Sequence, residues 1–311
     1  MPVVRSLYCL IFVERRVIVV CAALCGATIL VRASALPVGN TVVGASTTHV
    51  VAKGESLVGV GARFGIDVSP LAAENGLSPR ALLRVGQQLR IDSPHIVPPA
   101  LDDGLIVNVP QRMLFLVEAG KAIVAFPVAA GRPDWPTPTG AFTVITKVRD
   151  PTWNVPLTIQ EEMRRKGQRV LTVVPPSPSN PLGSRWIALS VGGIGIHGTN
   201  APNSIFQLQT HGCVRLHPDD AEDLFDRIDV GTAGRLIYEP ILLARLPDGR
   251  IFLEVHRDHY HKLQDRPANI VRALAAGDDL MAAIDWEKAV RATRLAEGLA
   301  RDVTAHDGFL P

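Results

Sequence analysis

The chain has 311 residues, 47% hydrophobic and 20% charged, with a formal net charge of +2. That composition supplies a substantial buried core and excludes an intrinsically disordered chain. The near-balanced charge offers no basic patch for nucleic acid. Residues 1–35 read as an export signal: Arg15 and Arg16 precede the apolar run from Val17 to Val31, and Ala33, Ser34 and Ala35 supply a small-residue cleavage site. The run is short for a spanning helix, so an uncleaved inner-membrane anchor is the alternative. Of four cysteines, Cys9, Cys21 and Cys25 fall inside this segment, so the exported chain keeps Cys213 alone and cannot form an internal disulfide. Removing residues 1–35 leaves 28 Lys+Arg against 29 Asp+Glu.

Next comes a compact, glycine-punctuated block at 48–92, where Glu55 and Ser56 suit a helix entry and Phe64-Gly65 a helix end. Gly59 and Gly61 fall within that helix, each costing about 1 kcal/mol relative to alanine. Residues 93–104, rich in proline and acidic side chains, read as a linker. From 105 to 240 short apolar runs alternate with turn residues, which predicts a mainly β sandwich or barrel. One helix interrupts it: Asp219 and Asp220 open a pattern that places Ala221, Leu224, Phe225 and Ile228 on one face, and Gly231 closes it. The β pattern extends through 241–262, and 267–303 reads as a helical tail, packed or oligomer-forming.

The 48–92 block resembles a LysM module, a small α+β fold, through Val51, Gly54, Glu55, Ser56, Leu57, Phe64, Gly65, Leu71, Asn75, Gly86, Gln87, Leu89 and Ile91; His49 stands where many such modules carry an aromatic ring. The resemblance implies binding to N-acetylglucosamine-containing glycan strands and a role in localisation rather than chemistry.

IGIHGTN at 194–200 ends an apolar run in His197, and THGCVRL at 210–216 brings Cys213 sixteen residues later. A free thiol is only a few per cent thiolate at neutral pH, so a nucleophilic cysteine needs a nearby base or cation. His197 supplies that base if its strand lies beside the segment carrying Cys213. Gly212 permits a sharp turn that lets backbone N–H groups converge on an oxyanion. A buried cysteine of no chemical consequence is the blander reading. Zinc bound by His211, Cys213 and His217, or by His256, His259 and His261, matches no common closed site, so neither a metal nor a cofactor is expected.

These motifs, with FPVAAGRPDWPTPTGAF upstream and RLIYEPILLA downstream, resemble the L,D-transpeptidases, the YkuD-type cysteine enzymes of bacterial cell-wall assembly, over about 150 of the residues. PPSPSNPLG and IHGTN are similar to the periplasmic branch of Gram-negative bacteria, which implies a periplasmic location. The resemblance implies a β-sandwich or barrel-like catalytic fold with a capping helix, Cys213 as nucleophile and His197 as base, with His211 and Gly212 completing the site. Arg215 would clamp a stem-peptide carboxylate, and Thr210, Gly198 and Asn200 would line the substrate site. Some family members carry asparagine in place of Arg215. The implied reaction cleaves the diaminopimelate–D-alanine bond of a tetrapeptide stem and transfers the acyl group to an amine: a second diaminopimelate or the lysine of an outer-membrane lipoprotein. With water as acceptor the same site is a carboxypeptidase. A papain-type peptidase is disfavoured, because here histidine precedes cysteine, and a non-catalytic glycan-binding protein would not need the His197 and Cys213 pair. Oligomeric state is left open.

Overall fold

The computed structural model describes residues 38–44 and 46–305; the expected signal, with Cys9, Cys21 and Cys25, lies outside the described residues. Among the described residues no helix is long and apolar enough to cross a membrane.

The first module runs β1 (Val42–Val43), β2 (Ser46–Val50), α1 (Leu57–Phe64), α2 (Val68–Glu74) and β3 (Gln88–Asp92), with β2 and β3 antiparallel. Ser56 caps α1 by accepting from the Gly59 N–H, and left-handed Gly65 ends it. Val51, Leu57, Val60, Leu71, Leu89 and Ile91 form its core. The two helical glycines have distinct packing reasons. A Cβ on Gly61 would stand 2.4 Å from the Ile66 carbonyl oxygen, and one on Gly59 would stand 2.8 Å from Asn203 Oδ1 in the next module. His49 packs edge-on against Phe64 and pairs with Glu55 at 2.7 Å.

Residues 93–104 correct the linker expectation. They contain β4 (His95–Ile96), paired with β1, and His95, Ile96 and Val97 are buried. The cause lies 158 residues along the chain: fully buried Glu254 accepts from the Ile96 N–H at 2.6 Å and stands 2.8 Å from His95 Nδ1. His95 Nε2 reaches the Gly65 carbonyl at 2.9 Å.

The second module is built from β5 (Gly104–Asn108), β6 (Met113–Glu118), β7 (Lys121–Gly131), β8 (Gly140–Arg149), β11 (Arg185–Leu189), β12 (Gly195–His197), β14 (Val214–Leu216) and β15 (Ala233–Ile237), with the short pair β9 (Trp153–Asn154) and β10 (Val173–Val174) beside them. The order β7-β14-β12-β11-β8-β15-β5-β6 closes on itself because the long β7 pairs with β14 near one end and β6 near the other; β13 (Leu208–Thr210) adds to β7. The result is the barrel-like sheet that the apolar spacing predicts. Leu105, Leu114, Val128, Val144, Ile187, Ile196, Val214 and Leu216 share one core with Leu224 and Phe225 of α4 (Pro218–Arg227), the capping helix. It stops at Arg227, short of Gly231, because Ile228 turns extended and buries its side chain in that core.

A second helix, α3 (Leu157–Arg165), was not legible as one: its buried positions are the polar Gln160 and Glu162, so no apolar stripe marks it.

The third module has the expected β extension and C-terminal helices, with one further strand at its end. β16 (Ile241–Arg245) and β17 (Ile251–Val255) form a hairpin, α5 (Pro267–Gly277) and α6 (Trp286–Leu295) cover it, and the chain then returns as β18 (Arg301–Asp302) against β17. Leu299, just before β18, enters the core of the first module. Arg112 completes the docking, donating to both Asp67 carboxylate oxygens at 2.9 Å and to the Phe206 carbonyl at 3.0 Å.

Candidate active site

β12 and β14 are parallel neighbours, with Ile196 opposite Val214 and His197 opposite Arg215. Side chains alternate across a strand. Ile196, Val214 and Leu216 therefore fill the barrel core, while His197 and Arg215 turn to the outer face, which Cys213, one residue before β14, shares by the same alternation. The strand carrying the histidine thus lies beside the segment carrying the thiol, as the base reading requires.

His197 is buried, and its Nδ1–H donates to the Gly198 carbonyl at 2.6 Å, which leaves Nε2 as the acceptor. Trp186, opposite it in β11, stacks on the ring with centroids 5.8 Å apart. Gly195 makes room for this cover: a Cβ there would lie 2.4 Å from the indole. Burial, reinforced by the Arg215 charge, pushes the imidazole pKa down to about 3, so the ring is neutral at physiological pH. Burial raises the Cys213 pKa, opposed by the Gly195 backbone and by the positive charge of Arg215. The thiol points 3.9 Å from the Gly193 carbonyl oxygen. At rest the pair is thiol and imidazole, not thiolate and imidazolium.

Gly212 holds φ +100°, a conformation open to glycine and strained for other residues. The peptides on either side of Cys213 are both anchored. Thr137 Oγ1 donates to the Gly212 carbonyl at 2.8 Å, and Thr210 Oγ1 donates to the Cys213 carbonyl at 2.5 Å. Arg215 donates to Ser204 Oγ at 2.8 Å, its Nε has no partner, and its charge would favour the Cys213 thiolate when the thiol ionises. Among the described residues no group of three or more His, Cys, Asp or Glu side chains is arranged to hold a metal ion.

The L,D-transpeptidase catalytic domain (YkuD) matches residues 102–241 and the LysM domain matches 49–92. The chain is 32% identical over 238 residues to the probable L,D-transpeptidase YcfS of Escherichia coli, covering 74% of each chain. It is also 32% identical to the probable L,D-transpeptidase ErfK/SrfK of the same organism, over 71% of this chain and 72% of that one. The chain belongs to the L,D-transpeptidase family. A solved L,D-transpeptidase from Mycobacterium smegmatis overlaps 66% of this chain and 95% of its own at 16% identity and a TM-score of 0.36; membership rests on the sequence relatives. These proteins are enzymes, and the two matched domains together imply peptidoglycan binding.

Within this L,D-transpeptidase the residues expected to line the substrate site divide. Arg215 stands beside the thiol with donors to offer. Thr210 is buried and braces the turn, the Gly198 carbonyl orients the His197 ring, and Asn200 donates to the Ser179 carbonyl at 2.9 Å. His211 does not have His197 among its partners. Its Nε2 lies 2.5 Å from Glu162 Oε2 and 3.1 Å from Arg132 Nη1, and its ring packs edge-on against Trp135 at 4.3 Å. Nε2 cannot donate to one neighbour and accept from the other at once; the shorter, charge-assisted contact places its proton toward Glu162. Hydrogen bonds from Lys166 and His211 hold the Glu162 carboxyl down to about 2. Glu162 and Tyr260 carry no motif signal, and Arg132 and Thr137, though inside the FPVAAGRPDWPTPTGAF stretch, show their partners only through tertiary contacts.

Proposed function

We propose that Cys213 is the nucleophile and His197 the general base of an acyl transfer on peptidoglycan stem peptides. The observation that carries this reading is the β12 and β14 register, which gives a thiol, a neutral imidazole whose Nε2 is its acceptor, and a guanidinium with no acidic partner among the described residues one shared face. Nε2 accepts the thiol proton as sulfur attacks the carbonyl between diaminopimelate and the terminal D-alanine. Negative charge builds on the carbonyl oxygen and is met by the backbone N–H of Cys213 together with that of Gly212 or His211. The imidazolium returns its proton to the departing D-alanine amine, leaving a thioester. An incoming amine, from a second diaminopimelate or a lipoprotein lysine, loses its proton to His197 and releases the thiol. The depressed histidine pKa means that the base enters the cycle unprotonated. Arg215 holds the stem carboxylate through parallel hydrogen bonds. The enzyme works in the periplasm after export by residues 1–35.

Incubation of the purified protein with disaccharide-tetrapeptide, with products identified by mass spectrometry, tests the reading. A crosslinked dimer is the expected product, and a tripeptide without dimer makes water the acceptor. Turnover that survives Cys213→Ala removes the proposal.

A further inference from the structure

We infer that Tyr260, in the third module and outside the matched catalytic domain, is a positioning residue that aims the oxyanion-binding N–H of Cys213 through Thr137. The inference rests on the reading of Cys213 as nucleophile.

The connection is a chain of two hydroxyls. Tyr260 Oη donates to the Gly131 carbonyl at 2.6 Å and accepts from the Thr137 N–H at 3.2 Å. Thr137, fully buried, accepts from the Gly131 N–H at 2.8 Å and donates to the Gly212 carbonyl at 2.8 Å. Each hydroxyl thus has one donor and one acceptor, which fixes both rotors and the direction of each bond. The Gly212 carbonyl and the Cys213 N–H belong to a single planar trans peptide and point in opposite directions. Anchoring the oxygen to Thr137 therefore sets where the Cys213 N–H points. Gly212 supplies no resistance of its own, since glycine at φ +100° has wide rotational freedom.

Tyr260 is itself held firmly. Its ring stacks on Tyr238 with centroids 5.0 Å apart, its N–H donates to Tyr238 Oη at 2.8 Å, and Tyr238 Oη donates to Asp258 Oδ1 at 2.7 Å. Asp258 also accepts from the Lys262 and Leu263 N–H groups, so the turn carrying Tyr260 is braced from within. Gly131 is required where these contacts converge: a Cβ there would stand 2.3 Å from the Trp135 oxygen and 2.5 Å from the Thr137 nitrogen. The HRDHYH segment, which the sequence suggests as a histidine cluster, thus bears on the site through its tyrosine.

The test compares two reactions of one thiol. Iodoacetamide alkylates sulfur by displacement and develops no oxyanion; a carbapenem acylates it and does. Tyr260→Phe and Thr137→Val should slow acylation by about 10- to 100-fold, the scale of a small misplacement of catalytic groups, while alkylation stays within about twofold of the parent because the thiol itself is untouched. Thr137→Ser, which keeps the hydroxyl, should acylate close to the parent rate. Thermal melts of all three identify any loss of fold, and Thr137→Ser still reports if the valine variant does not fold. Parent-rate acylation in Tyr260→Phe, or an equal fall of both reactions in the folded variants, overturns the inference. Failure of the nucleophile reading is separately visible as a carbapenem adduct that persists in Cys213→Ala.

Discussion

At the scale of single residues the site is governed by which groups are neutral. A carbapenem should leave one drug molecule per chain on the peptide containing Cys213, and none in Cys213→Ala, when adducts are mapped by mass spectrometry. Arg215→Ala should slow that acylation by about tenfold or more, the loss of about 1.5–3 kcal/mol of charged hydrogen bonding to the drug carboxylate. His197 yields a pH prediction. Its native pKa of about 3 lies below the ordinary 6.5, so between these values the unfolded chain binds the proton and the native one does not. The stability this supplies is complete above pH 6.5 and is lost as pH falls toward 3, by up to about 1.4 kcal/mol per pH unit. Urea midpoints measured from pH 7 to pH 4 should therefore fall less steeply in His197→Gln than in the parent. An equal slope would show that the imidazole is not held neutral.

At the scale of elements, α1 shows a local preference overruled by packing. Alanine in place of a helical glycine ordinarily gains about 1 kcal/mol. Gly61→Ala should nevertheless lower the melting temperature, because the new methyl meets the Ile66 carbonyl, a backbone atom that cannot rotate aside. At Gly59 the obstruction is the tip of the Asn203 side chain, which can swing away, so Gly59→Ala should be much milder. Differential scanning of the two variants checks the order. α3 shows the converse. Its sequence LTIQEEMRR lacks an apolar stripe, yet it forms because Gln160 finds the Val155 carbonyl and Glu162 finds Arg132, Lys166 and His211. A helix whose buried face is satisfied by hydrogen bonds carries no hydrophobic period to read.

At the scale of the whole molecule the three modules act as one body, contrary to the expectation of a separable glycan-binding appendage on a linker. Removing residues 36–95 would strip β1 and the His95 end of β4 from the third module, withdraw Asp67 from Arg112, and expose Leu299. The truncated protein should melt earlier or aggregate, and lose cleavage of soluble stem peptides with its fold. Asp67→Asn is the gentler probe: it leaves Arg112 with a weaker acceptor and should cost about 1–3 kcal/mol, read from a single cooperative transition. Two independent transitions in the parent would contradict the one-body arrangement.

What the sequence by itself determined is what contiguous residues encode. The Ser56 cap and the Gly65 stop of α1, the short apolar runs of the barrel, and the cysteine held between Gly212 and Arg215 are all local patterns. That His197 and Cys213 belong to one site was implied by the resemblance their motifs carry, and the fold sets the strand ending in His197 beside the segment carrying Cys213. Tertiary structure alone decided the rest. Thr137 lies 75 residues from Gly212 and Tyr260 lies 123 from Thr137, and Glu162 lies 49 from His211. A hydroxyl or carboxylate that contributes one hydrogen bond leaves no period, spacing or composition behind it; only the folded chain, which must partner every buried polar group, shows which of them meet.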